Sequence, residues 1–173
     1  DPRVIGFMKK YFQFQINALK NAPLGQWTEW ATSRGTENVM MAQWLFQVTK
    51  DESLLELASL IESQSFNWSE WLGNRDWVIC AAAYQNGDRW MHRHGVNVGM
   101  AIKSPAINYQ RTGDEKYLKE LKTGFTDLMT LHGLPMGIFS ADEDLHGNDP
   151  TQGTELCAIV ESMYSLEEII GIT

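Results

Sequence analysis

In RVIGFMKKYFQFQINALKN, residues 3–21, the apolar side chains fall at Val4, Phe7, Met8, Tyr11, Phe12, Ile16 and Leu19. Steps of three and four place them on one face of an amphipathic helix, which Ala22-Pro23-Leu24-Gly25 ends. The next segment, ENVMMAQWLFQVT (37–49), is apolar on most sides, the pattern of a buried helix. Asp51 then stands as the N-cap of ESLLELASLIESQ, which runs through Gln64. NWSEWLGNRDW reads as loop-rich. Residues 95–111 return to helical spacing, with Pro105 kinking or interrupting the helix. Thr112-Gly113 breaks it, and Asp114 caps another helix that runs to about Leu131. Gly, Pro and Asp crowd residues 132–153, which predicts a loop with a short strand around 136–139. Thr154 caps a last helix to about Ile170.

Two of these segments repeat. WLFQVTKDESLLELA and INYQRTGDEKYLKEL share an order: aromatic, Thr, Lys or Gly, Asp, then a leucine-bearing helix. Thr49 and Thr112 mark the register, and IIGIT brings Thr173 after a similar interval. A period of about 62 residues predicts an all-α chain of stacked helical hairpins. Such stacks form an open solenoid or a closed α/α toroid. The register calls for a further unit opening with Gly-Asp beyond Thr173, so the expectation is one partial α/α-barrel domain over residues 1–173, its last helix short of a neighbour. In a toroid, the loops at one end surround a central cleft where His, Glu and aromatics collect.

Charge narrows the partners. Lys and Arg number 14 against 22 Asp and Glu, a net −8, so nothing would neutralise a nucleic-acid backbone or an anionic membrane. No apolar run approaches the roughly 18 residues of a membrane span. The opening Asp1-Pro2 is not a basic-then-apolar leader, although a mature secreted protein would look the same. Two cysteines, Cys80 and Cys157, make no disulfide framework. Seven tryptophans fit a helical core. Some of them also suit a cleft in which a sugar's C–H face stacks on indole.

The candidate chemistry gathers towards the C-terminus. Asp142, Glu143 and Asp144 form an acidic run that serves equally as solvated surface or as the surroundings of a general acid. In the second reading Glu143 is the acid/base, its proton retained by neighbouring carboxylates and partial burial. Glu155 and Cys157 follow Thr154 at a helix start. The helix dipole favours a thiolate there and the carboxylate opposes it. Zn²⁺ would resolve the conflict, because thiolate sulfur and carboxylate oxygen are both zinc ligands. Positions i and i+2 of a regular helix do not face each other, so a shared metal requires an irregular first turn. His92 and His94 suit a helix start or sugar hydroxyls; Arg34 and Asn38 suit caps or ligand contact. His132, His146 and Cys80 carry no motif, and Asn67-Trp68-Ser69 matches a glycosylation sequon.

Taken in order, DPRVIGFMKKYF, SRGTENVMMAQWLFQVTKDESLLELA, HGVNVGMAIKSPAINYQRTGDEKYL and TELCAIVESMYSLEEI resemble glycoside hydrolase family 127, the β-L-arabinofuranosidase family. The resemblance covers nearly the whole chain. It implies an (α/α)6 barrel followed by β-sandwich domains, and a retaining enzyme with a zinc-bound cysteine nucleophile and a glutamate acid/base. It implies a carbohydrate substrate, L-arabinofuranosides or similar plant-glycan side chains, and a periplasmic or extracellular setting. Glu155-Leu156-Cys157-Ala158 matches the Glu-Thr-Cys-Ala segment that supplies two zinc ligands. Glu143 matches the acid/base, with Asp142 or Asp144 as alternatives because the loop differs in length. His94 matches the sugar-contacting His of His-Gly-Val-Asn, and Arg34 and Asn38 are further candidates for holding the sugar. The family's nucleophile lies in an adjacent Cys-Cys pair, which this sequence does not contain. Cys157 is then a zinc ligand, half of the metal site is present, and the 173 residues alone are expected to be inactive.

Two other readings fit the same residues. One is a non-catalytic glycan-binding helical scaffold that uses the tryptophans without metal. The other is a zinc-free α/α glycosidase or lyase that pairs Glu143 with a second acid such as Asp149.

Overall fold

The computed structural model describes residues 1–25, 29–74, 90–149 and 151–173, with only the backbone of Trp90. Trp27, Trp77 and Cys80 lie outside the described residues. The described residues contain helices and no strands, in keeping with the all-α class that the helical repeat predicts. They divide into two compact units, Asp1–Phe66 and Asn67–Thr173.

The first unit holds α1 (Arg3–Ala18), the short α2 (Glu29–Ser33), α3 (Gly35–Thr49) and α4 (Ser53–Gln64). α3 and α4 form a hairpin on which α1 rests. Its core is Phe12, Val39, Ala42, Leu45, Leu57, Ala58 and Ile61. α3 is less enclosed than its composition suggests: Trp44 and Val48 stay 39% and 53% exposed. Gly35 is required by packing, because a Cβ there would fall on the Ser65 side chain.

The second unit holds α5 (Trp68–Gly73), a single 3-10 turn at Trp90–His92, α6 (Gly95–Ala101), α7 (Ser104–Thr112), α8 (Lys116–His132) and α9 (Leu156–Ile172). α9 packs along α6 and α7, and α8 packs against α5 and α7. α5 replaces part of the expected loop. Asn67 caps it by accepting the Glu70 N–H at 3.2 Å, and Trp68 and Leu72, one turn apart, are buried. The sequon is therefore spent on a helix start, with Ser69 buried behind it. Pro105 lies in the first turn of α7, where its missing N–H costs nothing, and so separates α6 from α7. Gly99 lets α6 and α9 approach closely: a Cβ would sit 3.0 Å from the Ala158 carbonyl oxygen. Beside it, Ser165 donates to the Gly99 carbonyl, and the fully buried Lys103 donates to Ser165.

The repeat is visible as one corner built twice. Thr49 Oγ1 bonds back to the Leu45 carbonyl (2.8 Å), Lys50 turns left-handed (φ 59°), and Asp51 accepts the Ser53 N–H (3.1 Å). Thr112 Oγ1 bonds to the Asn108 carbonyl (2.7 Å), Gly113 turns left-handed (φ 71°), and Asp114 accepts the Lys116 N–H (2.9 Å). Thr173 makes the same back-bond, to the Ile169 carbonyl at 2.8 Å.

Two expectations fail nearby. The strand around 136–139 does not form; a turn at Gly137 (φ 88°) leaves only isolated bridges, Gly133 to Phe139 and Ala141 to Leu145. Thr154 does not cap α9, because its hydroxyl donates to the Phe139 carbonyl at 3.1 Å and Glu155 takes the cap position.

Candidate active site

Residues 141–146 form a tight loop held from three sides. Gly95 at the start of α6 donates its N–H to the Asp142 carbonyl at 2.8 Å. Glu155 at the start of α9 donates its N–H to the Ala141 carbonyl at 2.9 Å. His132 at the end of α8 accepts the Gly147 N–H on Nδ1 at 2.8 Å. Three helix ends thus converge on one acidic loop.

Within the loop the three acids have different surroundings. Asp144 accepts from Arg93 Nε at 2.7 Å, and the Arg93 side chain is only 4% exposed. Asp142 lies 2.6 Å from His146 Nε2. Burial works against its charge, but the bonds from His146 and the Asp144 N–H outweigh this and hold it below the ordinary carboxylate range. Glu143 projects from the tip, 73% exposed, with His94 Nε2 3.3 Å from its carboxylate. The partial burial expected of Glu143 is not seen. His94 and His92 part company: His94 turns to Glu143, while His92 sits against Trp68 and Trp71 at centroid distances of 5.8 and 5.7 Å.

Glu155 is extended (ψ 137°) and Cys157 lies in the first turn of α9, the irregular geometry that the i, i+2 spacing requires. The thiol donates to Glu155 Oε1 at 3.0 Å. That bond raises the Cys157 pKa, with smaller additions from desolvation and the Glu155 charge. These outweigh the opposing backbone hydrogen bond at Cys157. Glu155 Oε2 is buried with no hydrogen-bond partner. An orphaned carboxylate oxygen beside an exposed thiol is a donor pair that suits Zn²⁺. Among the described residues no group of three or more His, Cys, Asp and Glu is placed to hold a metal, so the fit is to half a site. Asp149 is occupied in its own turn, accepting from the Thr151 N–H and hydroxyl at 2.9 and 2.8 Å.

Arg34 and Asn38 belong to the first unit and line a cavity of about 540 Å³ with Tyr11, Gln15 and Trp30. The Arg34 guanidinium lies 4.3 Å from the centroid of the half-exposed Trp30 ring. Asn38 donates to Gln15, which donates to Tyr11. Of the tryptophans, Trp30 thus borders open space while Trp68 is core.

Sequence reasoning missed Arg93, His132 and His146. A signal existed: an acidic run held in a compact loop needs cationic or donor groups nearby, and His146 stands four residues after Asp142. No helix of the described residues is long and apolar enough to cross a membrane. A family model described as "Beta-L-arabinofuranosidase, GH127 catalytic domain" matches residues 1–172. No curated protein and no solved structure matches the chain.

Proposed function

The chain belongs to the GH127 catalytic-domain family of glycoside hydrolases, whose fold is an α/α toroid, and from that premise we propose a retaining cleavage of L-arabinofuranosides or similar plant-glycan side chains. The observation that carries this reading is the loop 141–145. Backbone bonds from Gly95 and Glu155 tie the starts of the two helices next to His94 and Cys157 to the loop that carries Glu143, which supports the reading.

Glu143 is the acid/base. Its neighbours Asp142 and Asp144 are bound to His146 and Arg93 at 2.6 and 2.7 Å, which leaves Glu143 the most exposed of the three, 73% against 57% and 19%. It donates a proton to the glycosidic oxygen as the C–O bond breaks, then accepts one from the water that releases the sugar. His94 contacts the sugar beside this carboxyl, and Arg34 and Asn38 offer polar groups to sugar hydroxyls in the first unit's own cavity. Glu155 and Cys157 hold Zn²⁺, and the orphaned Glu155 oxygen supports this assignment. Bound there, zinc supplies charge that keeps thiols ionised at neutral pH. The thiolate nucleophile and the remaining ligands come from outside these 173 residues, since the sequence has no Cys-Cys pair, and the 173 residues alone are inactive.

Elemental analysis of the intact protein and its Cys157→Ala variant tests the reading. About one zinc per chain, lost in the variant, is expected. Zinc in neither protein returns Glu155 and Cys157 to an ordinary helix start and leaves a two-carboxylate mechanism around Glu143.

A further inference from the structure

Three successive residues each grip the loop that carries Glu143. Arg93 donates through Nε to Asp144 (2.7 Å) and through Nη2 to the Leu145 carbonyl (3.1 Å). His94 Nε2 approaches Glu143 at 3.3 Å. Gly95 donates its N–H to the Asp142 carbonyl at 2.8 Å. Residues 142 to 145 are therefore bracketed, and the Glu143 side chain is the most exposed of the three acids they carry.

We infer that Arg93 is the positioning residue for the acid/base step: its grip on Asp144 and the Leu145 carbonyl sets where the Glu143 carboxyl lies relative to Glu155 and Cys157. The inference rests on the assignment of Glu143 as the acid/base. Stability gives a poor account of this arginine. A buried ion pair is often no better for folding than apolar residues of the same volume. A guanidinium offers something else, a rigid fork that reaches two acceptors at once. Here the two acceptors are the residues immediately after Glu143, so the fork fixes the direction in which the chain leaves the tip. Asp144 Oδ1 also accepts the Leu145 N–H at 2.8 Å, which ties the carboxylate to the same turn. A shift of the turn would move the Glu143 carboxyl directly, while Glu155 stays anchored through the Ala141 carbonyl.

The test uses the intact protein and a pair of β-L-arabinofuranosides, one with nitrophenol and one with a simple alcohol as the leaving group. Nitrophenolate departs without a proton, and an alkoxide does not. Glu143→Gln is the reference variant. Arg93→Met is expected to lose about 100-fold in kcat/KM on the alkyl glycoside. On the nitrophenyl glycoside the loss is expected to stay under about tenfold. Arg93→Lys should recover part of the difference. Equal losses on both substrates, or no loss, while Glu143→Gln discriminates between them, overturn the inference. If Glu143→Gln does not discriminate, the acid/base assignment itself falls. Asp144→Asn keeps the shape and removes the charge, so it gives the same selective loss or the same refutation should Arg93→Met not fold.

Discussion

Gly95→Ala adds one methyl group where the loop and α6 touch. The new Cβ would lie 2.7 Å from Ala141 Cβ and 3.0 Å from the Asp142 carbonyl oxygen. Carbon atoms pack at about 3.5–4.0 Å, so the loop must withdraw by roughly 1 Å. Overpacking of this kind costs about 1–3 kcal/mol. Loss of the Gly95 N–H bond to Asp142 adds about 1 kcal/mol. Alanine's better helix propensity returns up to about 1 kcal/mol. The net destabilisation is then about 1–3 kcal/mol, or a Tm lower by about 3–10 °C for a chain of this size. The same 1 Å moves Glu143, and a misplacement of that order costs about 100-fold in rate. Thermal melting by circular dichroism and hydrolysis of an alkyl arabinofuranoside, whose leaving group needs the acid, measure the two effects in the intact protein. Gly153→Ala is the control, because its Cβ would meet nothing within 4 Å. A Gly95→Ala protein that melts and turns over like Gly153→Ala would refute the claim that this contact sets the loop.

Two further outcomes follow from the titrating groups. Glu155→Gln replaces the charged acceptor that raises the Cys157 thiol with a weaker neutral one, so iodoacetamide should alkylate Cys157 a few-fold faster in metal-free protein at neutral pH; an unchanged rate by peptide mass spectrometry contradicts the bond. Glu120 has its pKa raised by burial, against the attraction of Lys116 and with Glu70 and Asp114 adding repulsion. The folded state then holds this proton more tightly, so stability falls as pH rises through the window between the unfolded and folded pKa. Glu120→Gln should raise the Tm at pH 7 and lose that advantage below about pH 4; an equal shift at both pH values speaks against it.

The hairpins were legible because their punctuation is local. Thr49 and Thr112 bond within their own helices, and Asp51 and Asp114 cap two residues ahead, so a short window contains the whole corner. The end of α7 at Gly113 and its start at Pro105 were readable for the same reason. α5 was not, because only six residues form it and its tryptophan looks the same in a loop. Thr154 misled because its hydroxyl has a tertiary partner, the Phe139 carbonyl. In the candidate site, Glu143, Glu155 and Cys157 stood out by type and position, and the family resemblance is what gave them roles. Their supports were not, since Arg93 and Asp144 are 51 residues apart and no periodicity connects them.

The corners and the site therefore differ in how they come to exist. α3–α4 and α7–α8 close through turns of a few residues, with little loop entropy to overcome. α9 must return to α6 across the 66 residues between Gly99 and Ser165, and the acidic loop hangs from that junction. Closing the longer loop costs more chain entropy, so the local hairpins are expected to form before the junction that carries the acidic loop. Mild destabilisation is expected to run the sequence backwards, loosening the acidic loop while the helical signal of the hairpins persists.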